Sequence, residues 1–304
     1  MPDEAKKIRP DFLIVGMQRS GSVWLGAILN SHPDIACFPN IPFDASPGGN
    51  KIGDVDFFNI LGGLEPGEHK FTRPLERYRT MYNMVFADLV SLFETLPRED
   101  FYRAMQKRYS EYCDKLRGDK KMIGENTTDY VFHLDFIDHL YPWIPKICII
   151  RDPKDKIVSW HFSLVNKGRR REKEVTEDFA MEYLKERIIP EYEALLAYGG
   201  KVHCITYEKL VAGPEKTIAG MLDYLEINKS PEITKDMIEN ASFEKQTARA
   251  EGASRKRGEE KSTSQIRKGI AGDWKNNMSK ELAKKIDDAT KGLRKKVFEK
   301  YNIN

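Results

Sequence analysis

Short apolar runs bounded by turn residues alternate along this chain with longer stretches of helical period, the order that a parallel sheet with crossover helices imposes. Residues 12–15, 121–124, 147–150 and 202–205 are rich in branched side chains and too short for buried helices, so they predict strands covered on both faces. Residues 35–38 predict a weaker fifth. Between the strands, 22–30, 75–96, 99–116, 154–166, 177–197 and 214–225 carry helical period, and 279–301 ends the chain as a charged helix. The segment 39–74 is dense in proline and glycine and predicts a long loop outside the sheet. The expected fold class is α/β, a central parallel β-sheet flanked by helices on both faces. A polar tail, 1–10, leads into one domain, 11–304, with 39–120 as a loop and helical insertion.

Charge narrows the function. Lys+Arg 50 against Asp+Glu 47 leaves +3, too even for a protein that coats nucleic acid or anionic lipid. A hydrophobic share of 40% with 15 Phe and 13 Tyr excludes a disordered chain, and no run approaches the length of a membrane span. The polar N-terminus lacks the apolar core of a signal peptide, so a cytoplasmic location is expected. Cys37, Cys113, Cys148 and Cys204 form no C-x-x-C pair, which argues against a zinc ribbon or dithiol site. The charge is instead local: residues 249–268 hold seven basic side chains against three acidic ones, a mobile basic loop by composition.

The first strand runs into Gly16-Met17-Gln18-Arg19-Ser20-Gly21-Ser22-Val23-Trp24 and then a helix. Gly-x4-Gly between strand and helix is the spacing of a P-loop-like phosphate cradle, where backbone N–H groups and a helix N-terminus face an anion. Ser22 and Val23 stand where a nucleoside triphosphatase places Lys and a Mg²⁺-binding hydroxyl, so the cradle comes without the metal ligand. The strong cation is Arg19. An ordinary strand-turn-helix corner is the alternative.

Two further anion signals follow. Arg151 ends the strand 147–150, in the crevice where open α/β sheets bind ligands, and Ser159 lies two turns into the next helix. An Arg151–Asp152 pair with a helix start at Asp152-Pro153 would explain the same residues. Arg267-Lys268-Gly269, ahead of Gly272-Asp273-Trp274, makes a cationic loop able to close over a phosphate, or a solvated charge run.

In this order the three segments resemble the sulfotransferases that use 3′-phosphoadenosine 5′-phosphosulfate (PAPS), over about residues 11–275. The resemblance implies that Arg19, Ser20, Gly21, Ser22 and Val23 bind the 5′-phosphosulfate, and that Arg151, Ser159, Arg267, Lys268 and Gly269 bind the 3′-phosphate. It places adenine against Trp24, Tyr207 and Phe243. Glu125 stands where the carbohydrate branch has its catalytic base, and Arg19 replaces the usual lysine of the cytosolic branch, so these two carry catalysis. Asn126 and Thr128 replace that branch's lysine and proline, and Lys284 replaces the glutamate of a dimerisation pattern, so no oligomeric state is implied. The implied reaction moves a sulfonyl group to a hydroxyl on a small molecule, a sugar or a carrier-bound chain. It leaves adenosine 3′,5′-bisphosphate (PAP), with no metal and no nucleic acid. The acceptor is expected within 39–120, beside Phe57, Phe58, Tyr78, Tyr82, Phe86 and Phe101, with core as the alternative for that stripe. Asp129 and Tyr130 line the pocket by resemblance, with a helix N-cap as the alternative for Asp129. A kinase or NTPase with a degenerate loop, and a non-catalytic nucleotide sensor, are the competing readings.

Overall fold

The computed structural model describes residues 8–38, 57–64, 85–172, 174–261 and 266–303. Five parallel strands, β1 (Phe12–Ile14), β2 (Ile35–Phe38), β3 (Met122–Asn126), β4 (Lys146–Ile150) and β5 (His203–Thr206), form one sheet in the order β2-β3-β1-β4-β5. The weak fifth strand of the apolar pattern is thus a full edge strand. β3 runs two residues beyond that pattern, pairing Leu13 with Glu125 and Ile14 with Asn126. A polar residue at a strand's carboxyl end reads as a turn from sequence, whereas pairing to β1 and β2 extends the strand through it.

Strand side chains alternate between two cores, as the pleat requires. Leu13, Phe38, Ile123, Cys148 and Ile150 face the larger core, while Phe12, Ile14, Ile35, Ile147 and Ile149 face the smaller. Helix α1 (Ser22–Asn30) covers the smaller core with residues from the C-terminal half of the chain. On the larger face lie α2 (Phe57–Gly62), α3 (Leu89–Thr95), α4 (Arg98–Arg117), α5 (Leu134–Leu140) and α6 (Pro153–Asn166), the last opened by Pro153 with Asp152 Oδ1 accepting from Lys154 N–H at 2.9 Å. α2 falls inside the segment expected to be loop only, and residues 75–84 of the predicted 75–96 helix lie outside the described residues.

The predicted helix 177–197 is broken into α7 (Glu177–Tyr183), a π turn (Leu184–Ile188) and α8 (Ile189–Ala197). Pro190 explains the break, because it has no N–H to return to the preceding turn. Beyond β5 come α9 (Tyr207–Ala212), α10 (Pro214–Tyr224), α11 (Pro231–Asn240) and α12 (Phe243–Glu251), and α13 (Lys280–Lys300) packs back on α8 and α6. Three of these, α9, α11 and α12, escaped the periodicity because they are short and polar. Their starts are marked by Thr206, Ser230 and Ser242, whose hydroxyls accept from Lys209, Ile233 and Lys245 N–H groups.

Candidate active site

The loop from β1 to α1 turns sharply at the carboxyl edge of the sheet. Arg19 adopts φ +63° and Gly21 φ +95°, both in the left-handed region. Gly21 is required twice over, since a Cβ there would also lie 2.6 Å from the Tyr207 ring. A non-glycine residue held at positive φ, as Arg19 is, marks a backbone fixed by its surroundings.

Arg19 reaches across to α6, where its Nε and a terminal nitrogen donate to Ser159 Oγ at 3.2 and 3.0 Å. Burial lowers its pKa from the ordinary arginine value, and the positive charges of Arg151 and Arg267 push the same way. The guanidinium remains a cation, since arginine does not release its proton in proteins. Three cations converge there, and a bound anion would relieve their mutual repulsion.

Arg151 sits just past β4, its guanidinium 4.2 Å from the Tyr207 ring centroid, donating to the carbonyls of Arg19 (3.4 Å) and Ile270 (3.0 Å). Its ion partner is Asp155 at 3.7 Å, not Asp152, which caps α6 instead. Arg151 Nε and Ser20 Oγ are both buried with no hydrogen-bond partner among the described residues. Two unsatisfied polar atoms beside a phosphate-type loop fit an absent polyanion.

The C-terminal loop is locked to the same helix. Asp155 accepts from the N–H groups of Gly272 (2.6 Å) and Trp274 (2.9 Å), a role that its place beside Arg151 in sequence did not disclose. Arg267 and Lys268 pair with Asp273 and Glu260, and the Arg267 guanidinium lies 4.4 Å from the Phe162 centroid. Gly269 takes φ +68° and leaves no room for a Cβ because the Phe243 ring rests on it. Arg255 holds the basic stretch together by donating to the carbonyls of Glu259 and Arg267 at 2.6 and 2.8 Å.

Beside these cations the aromatic residues gather. Trp24 packs edge-on to Tyr207 with centroids 5.8 Å apart, and its indole N–H donates to the Ala241 carbonyl at 2.8 Å. Phe243 opens α12 directly after it. Trp24, Ser242 and Arg257 line a small cavity on this side. Val23 is exposed at the helix start, and Ser22 is buried there.

Glu125 is the last but one residue of β3 and is fully buried. Its Oε1 accepts from Thr127 Oγ1 (2.8 Å) and Tyr130 Oη (2.6 Å), and its Oε2 accepts from Tyr109 Oη of α4. The structure therefore encloses it among hydroxyls instead of leaving it in an open crevice beyond the strand. Phe57 stacks on Tyr109 at 3.9 Å and Phe58 meets Tyr130 at 5.0 Å, which closes the aromatic wall around it. Phe57, Phe58, Phe86 and Phe101 are all buried in the larger core, so these residues of the acceptor stripe are core. Tyr78 and Tyr82 lie outside the described residues. Asp129 pairs with Arg187.

A cleft of about 590 Å³ opens between α6 and α7, lined by Trp160, Leu164, Phe179 and Tyr183 together with Arg169 and Arg171. Trp160 and Tyr183 stack at 5.8 Å, and the buried Tyr183 hydroxyl has no hydrogen-bond partner among the described residues. Burial pushes the Tyr183 phenol well above its ordinary range. Trp160 directly follows Ser159, to which Arg19 donates, so the cleft lies beside the loop that carries Arg19. Sequence reasoning missed Tyr183, because a tyrosine in an amphipathic helix carries no signal of its own. Among the described residues no group of three or more His, Cys, Asp or Glu suits a metal ion, and no helix is long and apolar enough to cross a membrane.

Comparisons bear on this arrangement. A profile of the sulfotransferase family matches residues 10–231. No curated protein matches the sequence. Among solved structures, a sulfotransferase from Alicyclobacillus acidocaldarius is similar at 17% identity and TM-score 0.54, covering 97% of each chain. A mouse sulfotransferase complexed with PAP is 16% identical at TM-score 0.54, over 93% of this chain and 83% of that one. Retinol dehydratase with androsterone and PAP is 16% identical at TM-score 0.53, over 95% and 82%. At such identities the structural likeness speaks for the fold, and the profile, spanning most of the chain, speaks for the lineage: this chain belongs to the sulfotransferase family.

Proposed function

We propose that the protein transfers the sulfonyl group of PAPS to a hydroxyl acceptor. The single observation that carries this reading is that Arg151 donates to the Arg19 carbonyl while Arg19 reaches Ser159 and Arg267 lies against Phe162 of the same helix, beside two buried polar atoms, Ser20 Oγ and Arg151 Nε, that lack partners among the described residues. PAPS has an anion at each end of one nucleoside, and the cations come from separate segments, the loop after β1 on one hand and the end of β4 with the C-terminal loop on the other. The loop around Arg19 and the N-terminus of α1 would take the 5′ end, and Arg151, Ser159, Arg267 and Lys268 the 3′ end. The mouse enzyme and retinol dehydratase were each solved with PAP, which supports the same donor here.

When bound, PAPS supplies the activated sulfonyl group. Arg19 holds charge on the leaving phosphate but cannot protonate it, since its guanidinium keeps its protons at neutral pH. Preorganised donors of this kind usually contribute roughly 2.7–4 kcal/mol each to lowering the barrier. A transferring sulfonyl group carries less negative charge than a phosphoryl group, so the α1 amides and Arg19 suffice to neutralise it. Glu125 is the proposed base. Its carboxylate faces Thr127 and Tyr130, whose hydroxyls are placed to yield to the acceptor hydroxyl or to pass its proton on, worth about 10²- to 10⁴-fold in rate. The acceptor enters through the cleft at Trp160 and Tyr183, whose aromatic floor and buried phenol suit an alcohol carried on an apolar body.

The test is incubation with radiolabelled PAPS and a mixed panel of phenols, sterols, sugars and carrier-bound alcohols, with EDTA present. Labelled sulfate ester is the expected result. Absolute dependence on Mg²⁺ with phosphate transfer from ATP would replace this reading with a kinase, and PAP binding without transfer to any acceptor would replace it with a sensor.

A further inference from the structure

The phosphosulfate loop rests on a buried ion pair that the reaction as derived above does not use. Glu191, in the first turn of α8, is fully buried, and its Oε1 accepts from the Gln18 backbone N–H at 3.2 Å. Its Oε2 takes the ammonium of Lys156, which is equally buried and lies on α6 one turn before Ser159. Burial lowers the pKa of Lys156, and the contact with Glu191 opposes that shift.

Such a pair is costly to desolvate, and apolar side chains of similar volume would hold α6 against α8 at least as well. Stability alone therefore does not account for a carboxylate at this place. An apolar residue could not accept the Gln18 N–H, which would then lose its partner in a partly buried place. That N–H lies in the Met17–Gln18 peptide, one peptide before the one that enters Arg19 at φ +63°, so fixing it constrains the chain's entry into the strained turn.

We propose that Glu191 is a positioning residue for the phosphosulfate loop: its carboxylate, neutralised by Lys156, ties down the Gln18 amide and holds Arg19 and the amides after it in the geometry that receives a 5′-phosphate. This rests on the assignment of the loop to the 5′ end of the nucleotide. Lys156 sets its ammonium against the carboxylate in a dry site and joins α6, which carries Ser159, to α8. The loop, α6 and α8 thereby meet at one carboxylate.

The experiment compares two double variants by calorimetry with PAP and with adenosine 3′-monophosphate, which lacks the 5′-phosphate. Lys156→Met/Glu191→Gln removes both charges but keeps an oxygen for Gln18, whereas Lys156→Met/Glu191→Leu removes the acceptor as well. The leucine variant should lose PAP affinity about tenfold or more while its affinity for adenosine 3′-monophosphate stays within about twofold, and the glutamine variant should recover PAP binding to within about threefold. Equal losses for both nucleotides, or no recovery with glutamine, would overturn the proposal, because a purely structural pair would act on the whole site. If the leucine variant does not fold, Glu191→Gln alone is measured, and a tenfold loss of PAP affinity in it overturns the proposal while retention within about threefold supports it. Wild-type protein that binds PAP no better than adenosine 3′-monophosphate would instead remove the loop assignment itself.

Discussion

Replacing Glu125 by glutamine tests the proposed base with little disturbance of shape. The carboxylate accepts from three hydroxyls, Thr127, Tyr130 and Tyr109. In the amide, Oε1 still accepts from Thr127 and Tyr130, and the new NH₂ faces Tyr109, whose hydroxyl can rotate to accept. Hydrogen bonds to a charged group contribute about 1.5–3 kcal/mol and neutral ones about 0.5–1.5, so weakening these contacts costs about 1–3 kcal/mol of stability after the cheaper burial of a neutral amide. The fold should survive that. Turnover should not: losing the proton acceptor predicts a fall of about 10²-fold or more, equivalent to roughly 2.7 kcal/mol in the barrier. PAP affinity should stay within a few fold, because the proposed base would meet the acceptor and not the nucleotide. Glu125→Asp should fall between, since its carboxylate is withdrawn by one methylene and cannot meet all the hydroxyls at once. The assay is initial-rate sulfate transfer with the best acceptor of the panel, beside thermal melting and PAP calorimetry. Near-normal turnover of the glutamine variant would refute the base assignment, and a matching collapse of stability and turnover would reduce Glu125 to a buried structural acid.

Gly21→Ala should lower PAP affinity about tenfold or more, because a left-handed φ costs an alanine roughly 1–2 kcal/mol and its methyl displaces the Tyr207 ring that carries Arg151. Unchanged calorimetric affinity would show that the loop's conformation is not used for binding. PAP should bind at least about tenfold more tightly than AMP, as each charged hydrogen bond to the 3′-phosphate contributes about 1.5–3 kcal/mol. Equal affinities would remove Arg151, Ser159, Arg267 and Lys268 from that role. In residues 249–268, of which 262–265 lie outside the described residues, hydrogen exchange should slow when PAP is added. On the proposed reading, Arg267 and Lys268 would give up Asp273 and Glu260 for phosphate. Exchange that does not change would assign the basic stretch a purely structural part.

The sequence alone was enough for the strands and for the tight glycine-spaced loop between the first strand and helix, because those signals are local: apolar runs, a glycine spacing and an arginine at a strand end. Three anion motifs in one order were also enough for the family, since the profile and the fold agree with it. What the tertiary structure decided depends on residues far apart in the chain. Only the packing of β3 against β1 and β2 carries Glu125 into the sheet, and only α4 supplies the Tyr109 hydroxyl that encloses it. The aromatic stripe around Phe57 and Phe101 faces inward because the larger core takes it, which leaves the open cleft to Trp160 and Tyr183. Asp155 and Glu191 acquire their roles by accepting backbone N–H groups from residues 117 and 173 positions away, and no local pattern encodes a partner at that separation. A short motif fixes which atoms can bind an anion, but the energy of placing them comes from burial and hydrogen bonds that exist only once the helices have closed on the sheet.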